Sequence, residues 1–239
     1  GRTGQPFAIM VRADHLDRLV RVSIEERQVL ESPVHPIMVL EKRDHTAHTG
    51  ISNLHTIGCM LPYTGLHYLL FSRLHHPLLI MTSANMPGYP MITEIDHAMA
   101  KLHRNVDFFL THDRQIVNRC DDSVIRDAQI IRLSRGIAPK RTAIDLGSRC
   151  ILAVGPELNA NATIYKNGFC VTSPHVGNVR NPATLEYLEE TVRNLRRILD
   201  AKFDIVAHDL HPQFLSTRFA KEIASDNGLE LIPVQHHRA

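Results

Sequence analysis

The chain has little net charge, few cysteines and no long apolar run. Among its 239 residues, 27 Lys plus Arg stand against 25 Asp plus Glu, leaving a formal net charge of +2. Such a balance provides no broad field for nucleic acid or a membrane surface, so any anion site has to be local. The four cysteines, Cys59, Cys120, Cys150 and Cys170, are widely spaced and form no Cys-x-x-Cys, which argues against a zinc finger and a disulfide framework. No apolar run approaches the ~18 residues of a membrane helix, and no signal-peptide pattern opens the chain. Internal repeats and low-complexity tracts are also missing. These absences lead to the expectation of a soluble protein in the reducing cytoplasm.

What is present suffices for a real core: 44% of the residues are hydrophobic, over a length that fits one large domain or two small ones. Two are expected. Histidine is the unusual count at 16, with close pairs at His45/His48, His75/His76, His208/His211 and His236/His237. A scattered histidine is ordinarily a surface or half-buried residue, whereas a pair beside a strand end is a candidate site.

The first half reads as an α/β layer. Phe7 to Val11 has a strand pattern, helical patterns start at Asp14 and at Ser23, and Ser23-x-x-Glu26 makes a capping box. A buried strand is expected over Ile37 to Leu40 and an exposed loop over Glu41 to Asn53. Then follow a helix over Leu66 to Leu74, a strand over Leu78 to Met81, a helix from Thr93 to about His103 and a strand over Val106 to Leu110. Short strands are expected at Ser123 to Arg126 and Ile130 to Leu133. Ala138 to Arg149 loses its apolar period, which places the domain boundary near residue 148.

The second half has a clearer plan. Ile151 to Val154 is a strand, and Thr163 to Lys166 with Phe169 to Thr172 forms a hairpin turned by Asn167-Gly168. Asn181 caps a helix that has Pro182 at its first position and an apolar stripe of Leu185, Leu188, Val192, Leu195 and Leu199. Its charges read as a solvated face, with Glu189 able to meet Arg193 one turn later. A strand over Ile205 to Ala207, a helix over Leu215 to Ser225 closed near Gly228, and a strand over Leu229 to Val234 complete the half. A meander followed by crossovers favours parallel pairing and looks like the ribonuclease-H-like unit found in actin-like sugar kinases.

Polar chemistry concentrates in a few places. The apolar run Pro77 to Met81 ends in Thr82-Ser83-Ala84-Asn85, which is either a ligand-facing strand end or ordinary turn chemistry. Leu61 to His67, and Asn118 to Val124 with Ser134-Arg135-Gly136, also set compact donors or an arginine beside apolar elements. Asp121 and Asp122 fit either loop caps or magnesium contacts. Asp209 and His211 fall at a strand end, where Asp209 is either on the ligand edge or the cap of the next helix. His175 follows Pro174 at a hairpin end, where a surface histidine is the plainer reading.

Taken in order, these motifs carry a resemblance. Gln5-Pro6-Phe7-Ala8-Ile9-Met10, Leu61-Pro62-Tyr63-Thr64-x-Leu66-His67, Met81-Thr82-Ser83-Ala84-Asn85, His112-Asp113-Arg114, Asn118 to Val124 and Arg132-x-Ser134-Arg135-Gly136 resemble the YrdC-like domain of the HypF carbamoyltransferase family, in an archaeal-like form. Gly155-Pro156-Glu157-Leu158, Ser173 to Gly177, Thr184-Leu185-Glu186, His208 to Pro212, Leu215 to Phe219 and Val234-Gln235-His236-His237 resemble the start of that family's actin-like domain. The resemblance implies an α/β fold with an incomplete YrdC-like domain over 1–148 and the first part of the actin-like domain over 149–239.

It also implies an activity within nickel-iron hydrogenase maturation. Carbamate derived from carbamoyl phosphate would be joined to ATP as carbamoyl adenylate with loss of pyrophosphate, and the carbamoyl group passed to the C-terminal cysteine of HypE for cyanide synthesis. By resemblance Thr64, His67, Ser83, Asn85, Ser123 and Arg135 would contact ATP or the adenylate, with Mg2+ as cofactor. His175, Asp209 and His211 are the candidates in the second domain. His236 matches the first ligand of a His-x-x-x-His pair for Fe or Zn, whose second member would fall at position 240. Gln5 replaces the family's common lysine, and Asn159-Ala160-Asn161 replaces its Lys-Asn-Thr.

The chain reads as an internal piece of the family pattern, expected to be inactive in carbamoyl transfer by itself. Two other readings use the same residues: a YrdC-type synthase making threonylcarbamoyl-AMP, and a non-catalytic module for RNA or a protein partner.

Overall fold

A computed structural model describes residues 6–238; Gln5 and Ala239 lie outside them. Contacts divide the chain into two compact units, one made of residues up to Ser83 with Asp121–Ile137, the other of Ala84–Cys120 with the residues from Ala138 on. The first unit runs β1 (Ala8–Val11), α1 (Ala13–Leu19), β2 (Val20–Arg21), α2 (Ile24–Glu31), β3 (Ile37–Lys42), β4 (Thr56–Met60), α3 (Gly65–Arg73) and β5 (Leu78–Met81). The chain then leaves for the second unit, where it forms α4 (Ile95–Leu102), and returns as β6 (Val124–Arg126) and β7 (Gln129–Arg132).

The sheet of the first unit has the order β5-β1-β4-β3-β6-β7, with β2 paired to β3. β1 is parallel to β4 and β3 to β6, while β5 is antiparallel to β1. Alternation along β1 sends Ile9 and Val11 into one apolar cluster with Leu16, Leu30, Leu40 and Ile57, and Met10 into another with Met60 and Phe71. Ser23 and Glu26 form the expected reciprocal cap of α2. β4, which had no counterpart in the sequence reading, is the central strand, and its Gly58 is closely packed. A Cβ at that position would come within 3.0 Å of the Ile37 side chain and 3.4 Å of Ala8.

The loop after β3 is tied down by Lys42, which is only 1% exposed. Its ammonium donates to the carbonyls of His45, Ala47 and Ser52 at 3.0–3.1 Å, so a buried charge is matched by three acceptors rather than by an anion.

The second unit continues with β8 (Lys140–Ala143), β9 (Ile151–Val154), β10 (Ala162–Lys166), β11 (Phe169–Thr172), α5 (Pro182–Ile198), β12 (Ile205–Asp209), α6 (Leu215–Asn227) and β13 (Glu230–Val234). Its sheet order is β13-β12-β9-β10-β11-β8. The meander β9-β10-β11 is antiparallel and both crossovers are parallel. Asn167 and Gly168 take φ of 50° and 80°, as a tight hairpin turn requires. Leu188, Val192 and Leu195 of α5 are buried against Leu152, Ile164 and Val206, with Leu185 and Leu199 packed at the margin. Gly228 ends α6 in the left-handed conformation.

Three expectations need correcting. Val106 to Leu110 forms no strand; Phe108 stands 91% exposed. Lys140–Ala143, inside the stretch read as aperiodic, is an edge strand on β11. The charges of α5 are only partly a solvated face, because Glu190 pairs with Arg119.

Candidate functional site

In the first unit the strand register defines two polar edges. β1 and β4 end together at Val11 and Met60, and the antiparallel and parallel pairings of β3 and β6 bring Ile37 and Val124 to that same edge. There the chain places Tyr63, Thr64 and His67 after β4, and Asp122 and Ser123 before β6. Thr64 is the N-cap of α3, its hydroxyl accepting from the His67 N–H at 3.2 Å. His67 packs edge-on to the Tyr63 ring at 4.7 Å.

Arg135 closes this cluster. Its guanidinium lies 3.7 Å over the Tyr63 ring centroid. Nε donates to Asp122 at 2.9 Å, Nη1 to the Val34 carbonyl at 3.1 Å and Nη2 to the His35 carbonyl at 2.7 Å. Gly136 makes the approach feasible: φ is +84°, and a Cβ there would sit 2.7 Å from the Val34 carbonyl oxygen. Ser123 is fully buried, donates to the Arg135 carbonyl at 3.0 Å and accepts from the Ser134 N–H at 2.9 Å. Ser123 and Gly136 therefore hold Arg135, and Arg135 holds the Val34–His35 turn.

Electrostatics follow from this packing. Burial, then the Asp122 carboxylate, push the Tyr63 phenol up, with Arg135 opposing. Burial pulls the His67 imidazole below its ordinary value; Asp122 resists and Arg135 adds to the depression. The shift favours the neutral imidazole, a compact donor or acceptor. A cleft of about 750 Å³ opens in the same unit. Its walls are Leu61, Pro62 and Phe71, with Arg12, Glu31 and His35 supplying both signs of charge and an imidazole.

Asp121 and Asp122 do not make a magnesium site. Asp121 pairs with Arg132 at 2.7 Å and Asp122 with Arg135 at 2.8 Å, so both carboxylates already have cationic partners. Ser83 is not drawn into this cluster. It follows the end of β5 that pairs with Ala8, which is the opposite edge of the sheet from Val11, Met60 and Val124. Asn85 belongs to the second unit, where its amide donates to the Tyr89 carbonyl at 2.8 Å and the Met86 carbonyl at 3.3 Å, the turn reading of that motif.

In the second unit Asp209 ends β12 with its side chain 3% exposed. One carboxylate oxygen accepts from the His211 N–H at 2.8 Å; the other accepts from the His236 N–H at 3.1 Å and meets the His236 ring at 2.6 Å. Burial pushes the carboxyl up, but these hydrogen bonds and the His236 charge outweigh it and hold the group below its usual range. Asp209 organises its own loop instead of capping α6, whose N-cap is Phe214. Phe214 stacks on His211 at 4.1 Å, and His236 lies 4.0 Å from His237. Among the described residues no group of three or more His, Cys, Asp or Glu stands together to hold a metal. His236 and Asp209 are joined by the 2.6 Å hydrogen bond. His175 follows β11 and is partly buried.

With this geometry in place, comparison with known proteins is decisive. The family described as telomere recombination (Sua5, YciO and YrdC) matches residues 1–135, and the HypF Kae1-like domain matches 147–239. The probable carbamoyltransferase HypF of Methanocaldococcus jannaschii is 40% identical over 248 residues, covering all of this chain and 32% of that protein.

The chain belongs to the HypF family.

Two solved structures support the fold of both halves. Full-length HypF in the phosphate- and nucleotide-bound form superposes with a TM-score of 0.91 at 35% identity, over 99% of this chain and 38% of that one. HypF of T. kodakarensis gives 0.92 at 40% identity, over 98% and 31%. The chain is thus a YrdC-like unit followed by an actin-like, HypF Kae1-like unit, and it spans about a third of the length of the curated relative. No helix among the described residues is long and apolar enough to cross a membrane.

Sequence reasoning missed Tyr63, whose ring is the surface on which Arg135 and His67 meet, and the cleft residues Arg12, Glu31 and His35. Tyr63 was legible as an aromatic between Pro62 and the capping Thr64. The cleft residues carry no local signal, because the β3 and β4 pairing that gathers them is non-local.

Proposed function

We propose that this chain carries the carbamoyl-activating part of a HypF carbamoyltransferase of nickel-iron hydrogenase maturation. Carbamate derived from carbamoyl phosphate attacks the α-phosphorus of ATP, bound as its magnesium complex; a carbamate–phosphorus bond forms and pyrophosphate leaves. The carbamoyl group of the resulting adenylate then passes to the C-terminal cysteine thiolate of HypE, and AMP leaves. Thr64 and His67 offer compact polar groups to the nucleotide, and Ser123 and Arg135 fix the edge on which it rests. In the actin-like unit Asp209, His211, His175 and His236 form the candidate acceptor side.

What supports the reading is the ordered likeness of both units to proteins named HypF carbamoyltransferase, over the whole chain. A mixed anhydride of carbamate with AMP is labile in water, and the cleft in the same unit, with Leu61, Pro62 and Phe71 among its walls, offers it partial shelter.

The test is a product analysis. The chain is incubated with ATP, magnesium and labelled carbamoyl phosphate, with and without HypE. Labelled carbamoyl-AMP and pyrophosphate are expected, without labelled HypE unless the remaining domains are supplied. Formation of threonylcarbamoyl-AMP from threonine and bicarbonate would transfer the chain to the tRNA-modification reading. RNA binding with a steep salt dependence would favour a binding module.

A further inference from the structure

The cleft of the first unit carries a histidine in an unusual setting. His35 lies in the turn after α2 with φ of +40°, a left-handed conformation in which glycine is the unstrained residue, and Pro36 after it disfavours the ordinary helical alternative. Three hydrogen bonds keep the turn in place. The His35 N–H donates to the Ser32 carbonyl at 3.0 Å, and Arg135 donates to the carbonyls of Val34 at 3.1 Å and His35 at 2.7 Å. A bulky side chain kept where glycine would be cheaper points to a use for that side chain.

The ring lines the cleft and is only partly buried, yet its Nδ1 is buried and has no hydrogen-bond partner among the described residues. A proton on Nδ1 would be a buried donor without an acceptor, at about 1–3 kcal/mol, so the neutral ring carries its proton on Nε2. Nε2 is thus the nitrogen left to meet a ligand, and it meets it as a donor. Around it the cleft is largely apolar. Phe71 is buried and Tyr68, three residues earlier on α3, is exposed, so one aromatic ring backs the cleft and another stands at its surface. Arg12 is forked onto Asp14, with Nε at 3.1 Å and Nη2 at 2.8 Å, and Glu31 adds a second carboxylate. One cation against two carboxylates disfavours a polyanion, whereas carboxylates accept readily from amines and hydroxyls. A volume of about 750 Å³ lies within the range of small-molecule sites.

We infer that the cleft is a nucleoside pocket: a purine base lies against Leu61, Pro62 and Phe71, His35 Nε2–H donates to a ring nitrogen of the base, and Glu31 or Asp14 accepts from its exocyclic amine or from the ribose hydroxyls. The choice of adenine rests on the function proposed above; the class, an uncharged heteroaromatic with donors and acceptors on its edge, does not. Pro62 in the cleft is followed directly by Tyr63 and Thr64, and the His35 ring lies 6.2 Å from the Tyr63 ring. A nucleotide with its base in the cleft therefore has the polar edge next to it for its phosphates.

Separate titrations of the isotope-labelled chain with adenosine, inorganic triphosphate and magnesium ATP test the pocket. Adenosine is expected to give saturable amide shifts at Ala13, His35, Phe71 and Ser72, and inorganic triphosphate to leave these four unmoved. His35→Phe keeps a planar ring, removes the Nε2 donor and puts carbon where the unpartnered Nδ1 lies. It is expected to hold or raise the urea midpoint while weakening adenosine binding about tenfold. Should it not fold, His35→Asn, a residue that tolerates positive φ, is expected to weaken adenosine in the same way. Unchanged adenosine affinity in the folded variant would overturn the role of His35. No adenosine shift at the four residues, or equal shifts with triphosphate, would overturn the pocket. Magnesium ATP shifts at Thr64 and His67 without adenosine shifts in the cleft would overturn the pocket and leave the proposed function standing; adenosine in the cleft without ATP shifts at Thr64 and His67 would support the pocket and count against that function.

Discussion

Replacing Gly136 by alanine isolates the packing that sets the nucleotide edge. At φ +84° an L residue costs about 1–2 kcal/mol. The added Cβ would also lie 2.7 and 2.8 Å from the Val34 carbonyl oxygen and Cα. Both are backbone atoms, so relief requires moving the turn that Arg135 holds, at about 1–3 kcal/mol for an overpacked contact. The expected loss is about 2–5 kcal/mol, a drop of about 1–2 M in the urea midpoint of the first unit. Two controls separate the contributions. Gly88→Ala has a similar φ, +79°, and open space, so it should lose only the conformational part, in its own unit; Gly65→Ala, at the start of α3 with nothing within 4 Å, should be neutral or stabilising. Midpoints read from β3 and β6 amide resonances decide the matter. A Gly136→Ala midpoint no lower than that of Gly65→Ala would refute the account of how Arg135 is seated.

Lys42→Met should cost the first unit about 2–4 kcal/mol in urea denaturation, because the buried Ser52 carbonyl and the partly buried carbonyls of His45 and Ala47 lose their donor; a neutral result would mean the loop opens to water. Asn181→Ala should destabilise α5 by about 1–2 kcal/mol, since it removes both the helix cap and the bond to Gly88, read as faster exchange over the first turns of the helix. The depressed pKa of His67 makes the folded state prefer neutral imidazole. Its contribution is full above the ordinary histidine value of 6.5 and is lost as pH falls toward the depressed folded value. His67→Gln should therefore show a smaller loss of stability between pH 7.5 and 5.5 than the wild type; equal slopes in the two proteins would contradict the assignment.

The second unit was the more legible in the sequence, for physical reasons. The Asn181 cap, the α5 stripe and the Asn167-Gly168 turn are local signals, and the element order alone implied the parallel crossovers. Val106–Leu110 misled because Val, Phe and Leu fit a strand on composition while no neighbouring strand receives them. Lys140–Ala143 was missed for the opposite reason. Its four side chains are exposed, and it is held by backbone pairing to β11 and by Arg141 lying 3.4 Å over the Phe169 ring. Thr56–Met60 was missed because a central strand with a glycine at its middle has no alternation to read. Among the candidate residues, Thr64, His67, Ser123 and Arg135 share an edge because β4 and β6 both flank β3. Ser83 lies at the other edge because β5 runs antiparallel to β1, a choice that no short motif encodes.

Whether the first unit holds a nucleotide at that edge is tested most directly by titrating the isotope-labelled chain with magnesium ATP and following its amide resonances. Saturable shifts at Thr64, His67, Ser123 and Arg135, with weaker ones at the cleft residues Arg12 and His35, are predicted. Shifts confined to residues outside this edge, or none at millimolar ATP, would contradict it.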